Sequence, residues 1–204
     1  MSNLRYLMLD SNKLSLFSFK EVLPALTHIS VRDNKLDGIT NLENVPNLAE
    51  IYLDGNVIEQ LSLPKLEQLT VLSVANNGIE TADSLDLPNL ETINLSRNKL
   101  NNLEFLENCP NLNTVNAARN QLEKICGKMT SLASLNVSCN TLTTLSWLSG
   151  FPNLTSLIAG FNDFKDINEI IQCLRHLSKL ECLDLKANPC TAAFYPNIEQ
   201  IPAH

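Results

Sequence analysis

Aromatic side chains are scarce: one tryptophan, three tyrosines and seven phenylalanines make up 5% of 204 residues. Pockets for flat cofactors are lined by such rings, so no cofactor is expected. Histidine is scarcer still, at His28, His176 and His204, and none belongs to a nucleophile motif with serine or cysteine. A Gly-rich phosphate loop is also missing. The cysteines (Cys109, Cys126, Cys139, Cys173, Cys182, Cys190) form no C-x-x-C pair and have no histidine at metal-site spacing, so neither a metal site nor an enzyme is expected. Positive charge is short as well. Lys and Arg number 15 against 22 Asp and Glu, a net charge of −7, whereas direct nucleic-acid binding needs a basic face. A solvated acidic surface accounts for that balance, and a basic protein partner would suit it. Long apolar runs and a signal sequence are missing, so no membrane contact is expected. The thiols are expected reduced and the protein cytoplasmic or nuclear, not secreted. Acceptor-like triplets at Asn94, Asn136 and Asn153 carry no glycosylation expectation in that setting.

What is present is a period. Leu90, Ile93, Leu95, Asn98 and Leu100 form an eleven-residue pattern in which Ile93 and Leu95 alternate with polar Thr92, Asn94 and Ser96. Alternation of this kind marks a short strand with one buried face. Nine copies run along the chain, anchored by Asn12, Asn34, Asn56, Asn77, Asn98, Asn120, Asn140, Asn162 and Asn188, at spacings of 22, 22, 21, 21, 22, 20, 22 and 26. One such strand cannot bury its apolar side alone, so the copies must stack. The asparagines then lie where each strand turns inward, and their buried amides must find partners, as a ladder between coils.

This unit resembles the leucine-rich repeat. The resemblance implies a right-handed α/β solenoid, a horseshoe with about nine parallel strands on its concave face. Residues 1–204 are expected to form a single domain, closed by a C-terminal cap over about 180–204. The first unit (Leu4, Leu7, Leu9, Asn12, Leu14) has nothing before it to shield the sheet edge. Either the chain starts inside a longer protein, or a second copy or a partner covers that edge. Residues 15–25, with Leu16, Phe17, Phe19, Val22 and Leu23 before Pro24, predict one or two helical turns. The phrase Pro-Asn-Leu leads into four strands, at Pro46, Pro88, Pro110 and Pro152, where proline ends the convex segment. Convex segments this short suit a turn of helix or of 3₁₀ rather than a long helix. The longest gap repeats Ile167, Ile170, Ile171, Leu174 and Leu177 at helical spacing behind Asp166, which predicts an N-capped helix from about Ile167 to Ser178.

The 22-residue unit is similar to that of the regulatory leucine-rich-repeat subunit of protein phosphatase type 1, of the spliceosomal ribonucleoprotein A-prime, of the acidic nuclear phosphoproteins and of an axonemal dynein light chain. The ending Leu183, Leu185, Asn188 and Pro189, followed by Tyr195, Ile201 and Pro202, is similar to that group's C-terminal cap. The resemblance implies a protein-binding module, with a phosphatase catalytic subunit as one partner, and a concave face rich in acidic and aromatic residues. The outward strand positions here divide into three zones. The first carries Tyr6, Met8, Asp10, His28, Arg32, Asp33, Glu50, Tyr52 and Asp54. The middle is small and neutral, with Arg97 and Arg119 on one edge in position to clamp a carboxylate or phosphate. The last carries Ile158 and Phe161, either a second anchor or a contact for the cap, with Asp184 and Lys186. Tyr6, His28, Glu50 and Tyr52 fall on neighbouring strands and form the candidate partner-binding cluster. The alternative function is a structural or assembly subunit of a ribonucleoprotein or cytoskeletal (axonemal) complex that docks, or self-associates, through the uncovered first repeat.

Overall fold

A computed structural model describes residues 3–191. Its strands are β1 (Tyr6–Met8), β2 (His28–Ser30), β3 (Glu50–Tyr52), β4 (Gln60–Leu61), β5 (Val71–Ser73), β6 (Thr81–Ala82), β7 (Thr92–Asn94), β8 (Thr114–Asn116), β9 (Ser134–Asn136), β10 (Ser156–Ile158) and β11 (Cys182–Asp184). Nine of them build one parallel sheet in the order β1-β2-β3-β5-β7-β8-β9-β10-β11. The register never slips: Tyr6 faces His28, His28 faces Glu50, Glu50 faces Val71, and so on to Ser156 and Cys182. A one-residue slip would turn every apolar residue outward, so the middle residue of each strand enforces the pairing. Ile29, Ile51, Leu72, Ile93, Val115, Leu135 and Leu157 are all essentially inaccessible. Leu7 is only partly buried and Leu183 is exposed, because each is packed from one side only among the described residues.

The asparagines bind one coil to the next. Asn98 donates from Nδ2 to Leu95 O in its own coil at 2.9 Å and to Val74 O in the preceding coil at 3.0 Å. Its Oδ1 accepts from Ile79 N at 3.0 Å. The same three-way bonding recurs at Asn34, Asn56, Asn77, Asn120, Asn140, Asn162 and Asn188. Asn12 donates only within its coil, to Leu9 O and Asp10 O, and is exposed. A second set of asparagines ties the strand entries. Asn47, Asn89, Asn111 and Asn153 of the Pro-Asn-Leu phrases donate to Pro24 O, Glu67 O, Pro88 O and Thr130 O at 2.7–2.9 Å.

The residue before each ladder asparagine is left-handed in all nine coils: Ser11, Asp33, Gly55, Asn76, Arg97, Arg119, Cys139, Phe161 and Ala187 have φ between 52° and 69°. There the chain turns from the sheet into the core. The turn is pinned by bonds such as Arg97 N to Ala118 O at 2.9 Å and Phe161 N to Lys186 O at 2.9 Å. For residues other than Gly, Asn or Asp this geometry costs about 1–2 kcal/mol each.

The convex side differs from the expectation in two places. Residues 15–25 form no helix; Ser18 bridges to Thr40, and Phe17 and Phe19 meet edge-on at 5.0 Å, with Phe19 buried. An extended run lets that ring enter the core beneath the neighbouring coil. Likewise β4 and β6 pair in parallel, where a turn of helix is the expected form. Elsewhere 3₁₀ turns occur, at Leu42–Asn44, Glu104–Leu106, Ser146–Gly150 and Pro189–Thr191. The helix α1 (Ile167–Leu174) begins as expected, with Asp166 accepting from Asn168 N and Glu169 N, but ends four residues before Ser178. Leu177 N bonds Leu174 O at 3.0 Å and Leu180 N bonds Leu177 O at 3.2 Å, tight turns that bring the chain back into β11. Of the expected cap, residues 180–191 form the ninth coil; Tyr195, Ile201 and Pro202 lie outside the described residues.

Candidate protein-binding face

The core side of the sheet is closed by leucine, so binding chemistry falls to the outward side chains. On the first four coils these are linked. Tyr6 stacks on His28 with ring centroids 4.5 Å apart. His28 Nε2 lies 3.3 Å from Glu50 Oε1, and the Thr27 hydroxyl is 2.7 Å from Nδ1. Glu50 Oε2 accepts from the Tyr52 phenol at 2.7 Å. That bond, partial burial and the negative charge of Glu50 push the Tyr52 pKa above its ordinary value. The Arg32 guanidinium lies over the Tyr52 ring, 4.3 Å from its centroid, and donates from Nε to Asp54 Oδ2 at 2.9 Å. Half-exposed ion pairs of this kind add at most about 1 kcal/mol; their effect here is to hold orientation.

Two aspartates anchor the cluster to the backbone. Asp10 accepts from Ser30 Oγ at 2.6 Å and Arg32 N at 2.8 Å. Asp54 repeats the arrangement two coils on, accepting from Ser73 Oγ and from Ala75 N at 2.8 Å. These N–H groups face the preceding coil, whose aspartate supplies the acceptor. Asp10, Ser30 and Ser73 are absent from the expected cluster. Their signal in the sequence is an aspartate two residues past one strand with a serine ending the next. Tyr6 and Met8 remain 58% and 63% exposed, so the network supports two open apolar surfaces.

The middle row has another use. Asn94, Asn116 and Asn136 accept from Ser96 N, Ala118 N and Ser138 N at 3.0–3.2 Å. The carbonyl oxygens of these amides are thus used within their own coils. Arg97 and Arg119 are exposed in consecutive coils, at the rim where the chain leaves the sheet. Phe161 stands on the same rim, 37% exposed, and Ile158 is half-buried between Asn136 and Asp184. Asp184 is engaged by Lys186 Nζ at 3.1 Å and Lys186 N at 2.9 Å. Structure thus joins Tyr6, His28, Glu50, Tyr52, Arg32 and Asp54, and leaves Arg97, Arg119, Ile158 and Phe161 as a separate group. All six cysteines are free thiols; burial pushes the Cys109 thiol up. Among the described residues no group of three or more His, Cys, Asp or Glu is placed to hold a metal ion, and no helix is long and apolar enough to cross a membrane.

Unbroken register, an inward-turning asparagine in every coil and a leucine core define the class: a leucine-rich-repeat solenoid with a nine-strand parallel sheet. A family model described as Leucine Rich repeats (2 copies) matches residues 67–108. The 187-kDa microtubule-associated protein AIR9 of Arabidopsis thaliana is 36% identical over 94 residues, which are 45% of this chain and 6% of AIR9. Among solved structures, the APL1 leucine-rich repeat domain superposes with a TM-score of 0.76 at 21% identity, over 90% of this chain and 50% of that one. TLR13 in its complex with ssRNA13 gives 0.79 at 24% identity, over 89% and 28%. The functional domain of InlJ from Listeria monocytogenes gives 0.69 at 25% identity, over 93% and 45%. The chain spans half or less of each of these proteins. The first two structural likenesses speak to fold alone.

Proposed function

We propose that the chain is a non-catalytic binding module that takes a protein partner on its concave face, gripping mainly through the first four coils. The observation that carries this reading is the continuous network from Tyr6 through His28, Glu50 and Tyr52 to Arg32 and Asp54. It presents oriented carboxylates beside exposed Tyr6 and Met8. Oriented aromatic and charged side chains lose little conformational freedom on binding, and interface hot spots are drawn from such residues. In its most specific form the partner is the catalytic subunit of a type 1 phosphatase, a form supported by the repeat's resemblance and by the acidic, aromatic start of the face. The test is affinity capture with wild-type chain against Tyr6→Ala/Tyr52→Ala. A phosphatase catalytic subunit retained by the first and lost by the second supports both partner and face. Identical captures by both baits would place binding elsewhere.

A second reading, an assembly subunit of a cytoskeletal or ribonucleoprotein complex, draws on the likeness to AIR9, a microtubule-associated protein by name. It uses the first coil, where Leu4, Leu7, Leu9 and Leu14 are only partly buried. Under that reading association survives Tyr6→Ala/Tyr52→Ala and is lost when Leu4 and Leu14 are replaced by lysine.

A further inference from the structure

The six positions from each strand's start to its left-handed turn sort by charge. In the first four coils they hold Asp10, Asp33, Glu50 and Asp54 against Arg32. In coils five to eight, residues 92–97, 114–119, 134–139 and 156–161 contain no carboxylate at all, while Arg97 and Arg119 are present. On a chain of net charge −7, this is a local reversal of sign. The left-handed positions carry a second asymmetry. Coils two to four fill them with Asp33, Gly55 and Asn76, residues that tolerate positive φ, and the end coils and coil seven with the small Ser11, Cys139 and Ala187, but coils five, six and eight use Arg97, Arg119 and Phe161 at φ 56–58°. Folding alone favours Gly or Asn there. Three bulky residues in unfavourable geometry, exposed on one rim, are a pattern found where a surface is retained for binding.

From these observations we infer that the rim formed by Arg97, Arg119 and Phe161 is a second docking surface, one that takes an acidic segment of a protein partner carrying an apolar side chain. Consecutive coils stand about 4.8 Å apart, so the two guanidinium groups reach the oxygens of one carboxylate or of two neighbouring ones. Phe161 lies two coils further on and meets the apolar residue. The neutral Asn and Ser row beside the rim neither repels the acid nor competes for it. A partner spanning the whole face is thereby oriented, its basic end over Glu50 and Asp54 and its acidic end over the rim.

The test is selection of a random peptide phage library on the full chain, with Arg97→Asn/Arg119→Asn as counter-selection. Asn suits the left-handed turn, as Asn76 shows at φ 52°, so this variant removes charge while keeping a residue type that the turn accepts. Rim-dependent peptides are expected to carry Asp or Glu within a few residues of an apolar side chain. They should bind the double variant and Phe161→Asn about tenfold or more weakly, a loss of about 1.4 kcal/mol, and bind less at high salt. Arg97→Asn alone is expected to leave the thermal midpoint unchanged or raised. Rim-dependent peptides lacking carboxylates overturn the inference, and so does a selection yielding only Tyr6-dependent peptides or none. A lowered midpoint for Arg97→Asn would make the residue structural and overturn it equally.

Discussion

At Glu50 one carboxylate faces His28 across the strand gap and accepts the phenolic proton bond of Tyr52, which gives its charge a spectroscopic reporter. Because the folded protein holds the Tyr52 proton more tightly than the unfolded chain, this bond's contribution to stability is complete below the ordinary value of 10.0 and is lost as pH climbs through the raised one. Glu50→Gln should bring the Tyr52 titration back down towards that ordinary value, read as tyrosinate absorbance against pH. An unmoved titration would show that burial, not Glu50, sets the shift. That Tyr6, His28, Glu50 and Tyr52 are neighbours follows from the 22-residue period alone. The pairing of Arg32 with Asp54, 22 residues on, follows from it too; the diagonal contact of Arg32 with the Tyr52 ring does not, because a period gives adjacency but not side-chain direction. The left-handed row was equally hidden. Its occupants range from glycine to phenylalanine, so no residue type marks it.

Elements were legible in proportion to how far their own residues decide them. The strands and the ladder show in the sequence because each coil repeats the same buried pair and the same amide. The start of α1 shows through the capping carboxylate of Asp166. Its end does not, since the route back to β11 is imposed by the neighbouring coil. The pair β4–β6 was illegible for the same reason: two-residue strands have no alternation to read, and each exists only because the other lies beside it. Bonding across coils also ranks the asparagines. Asn98→Ala leaves the buried Ile79 N–H without its acceptor and should lower stability by about 2–3 kcal/mol in urea denaturation. Asn12→Ala, exposed and bonded only within its coil, should cost less than about 1 kcal/mol. Equal losses would mean that the bonds between coils contribute nothing beyond those within one.

At the scale of the molecule, each coil among the described residues pairs only with its neighbours, so stability is a sum along a line. Hydrogen exchange should therefore be slowest for amides of β7, β8 and β9, which are flanked on both sides, and fastest for β1 and β11, whose inward Leu7 and Leu183 are covered on one side among the described residues. Protection of β1 equal to that of β8 would contradict a linear sum. Convex segments absorb the spread from 20 to 26 residues between successive ladder asparagines, while the strands keep unbroken register. The face therefore behaves as a ruler with a fixed graduation. Single-residue insertions change the back of the molecule and leave the spacing between the carboxylates of the early coils and the guanidinium groups of the later ones as it was. Duplicating or deleting the whole coil between Asn56 and Asn77 changes it by one step of about 4.8 Å, so the reach of the molecule between two contact points is tuned in whole repeats and in nothing smaller.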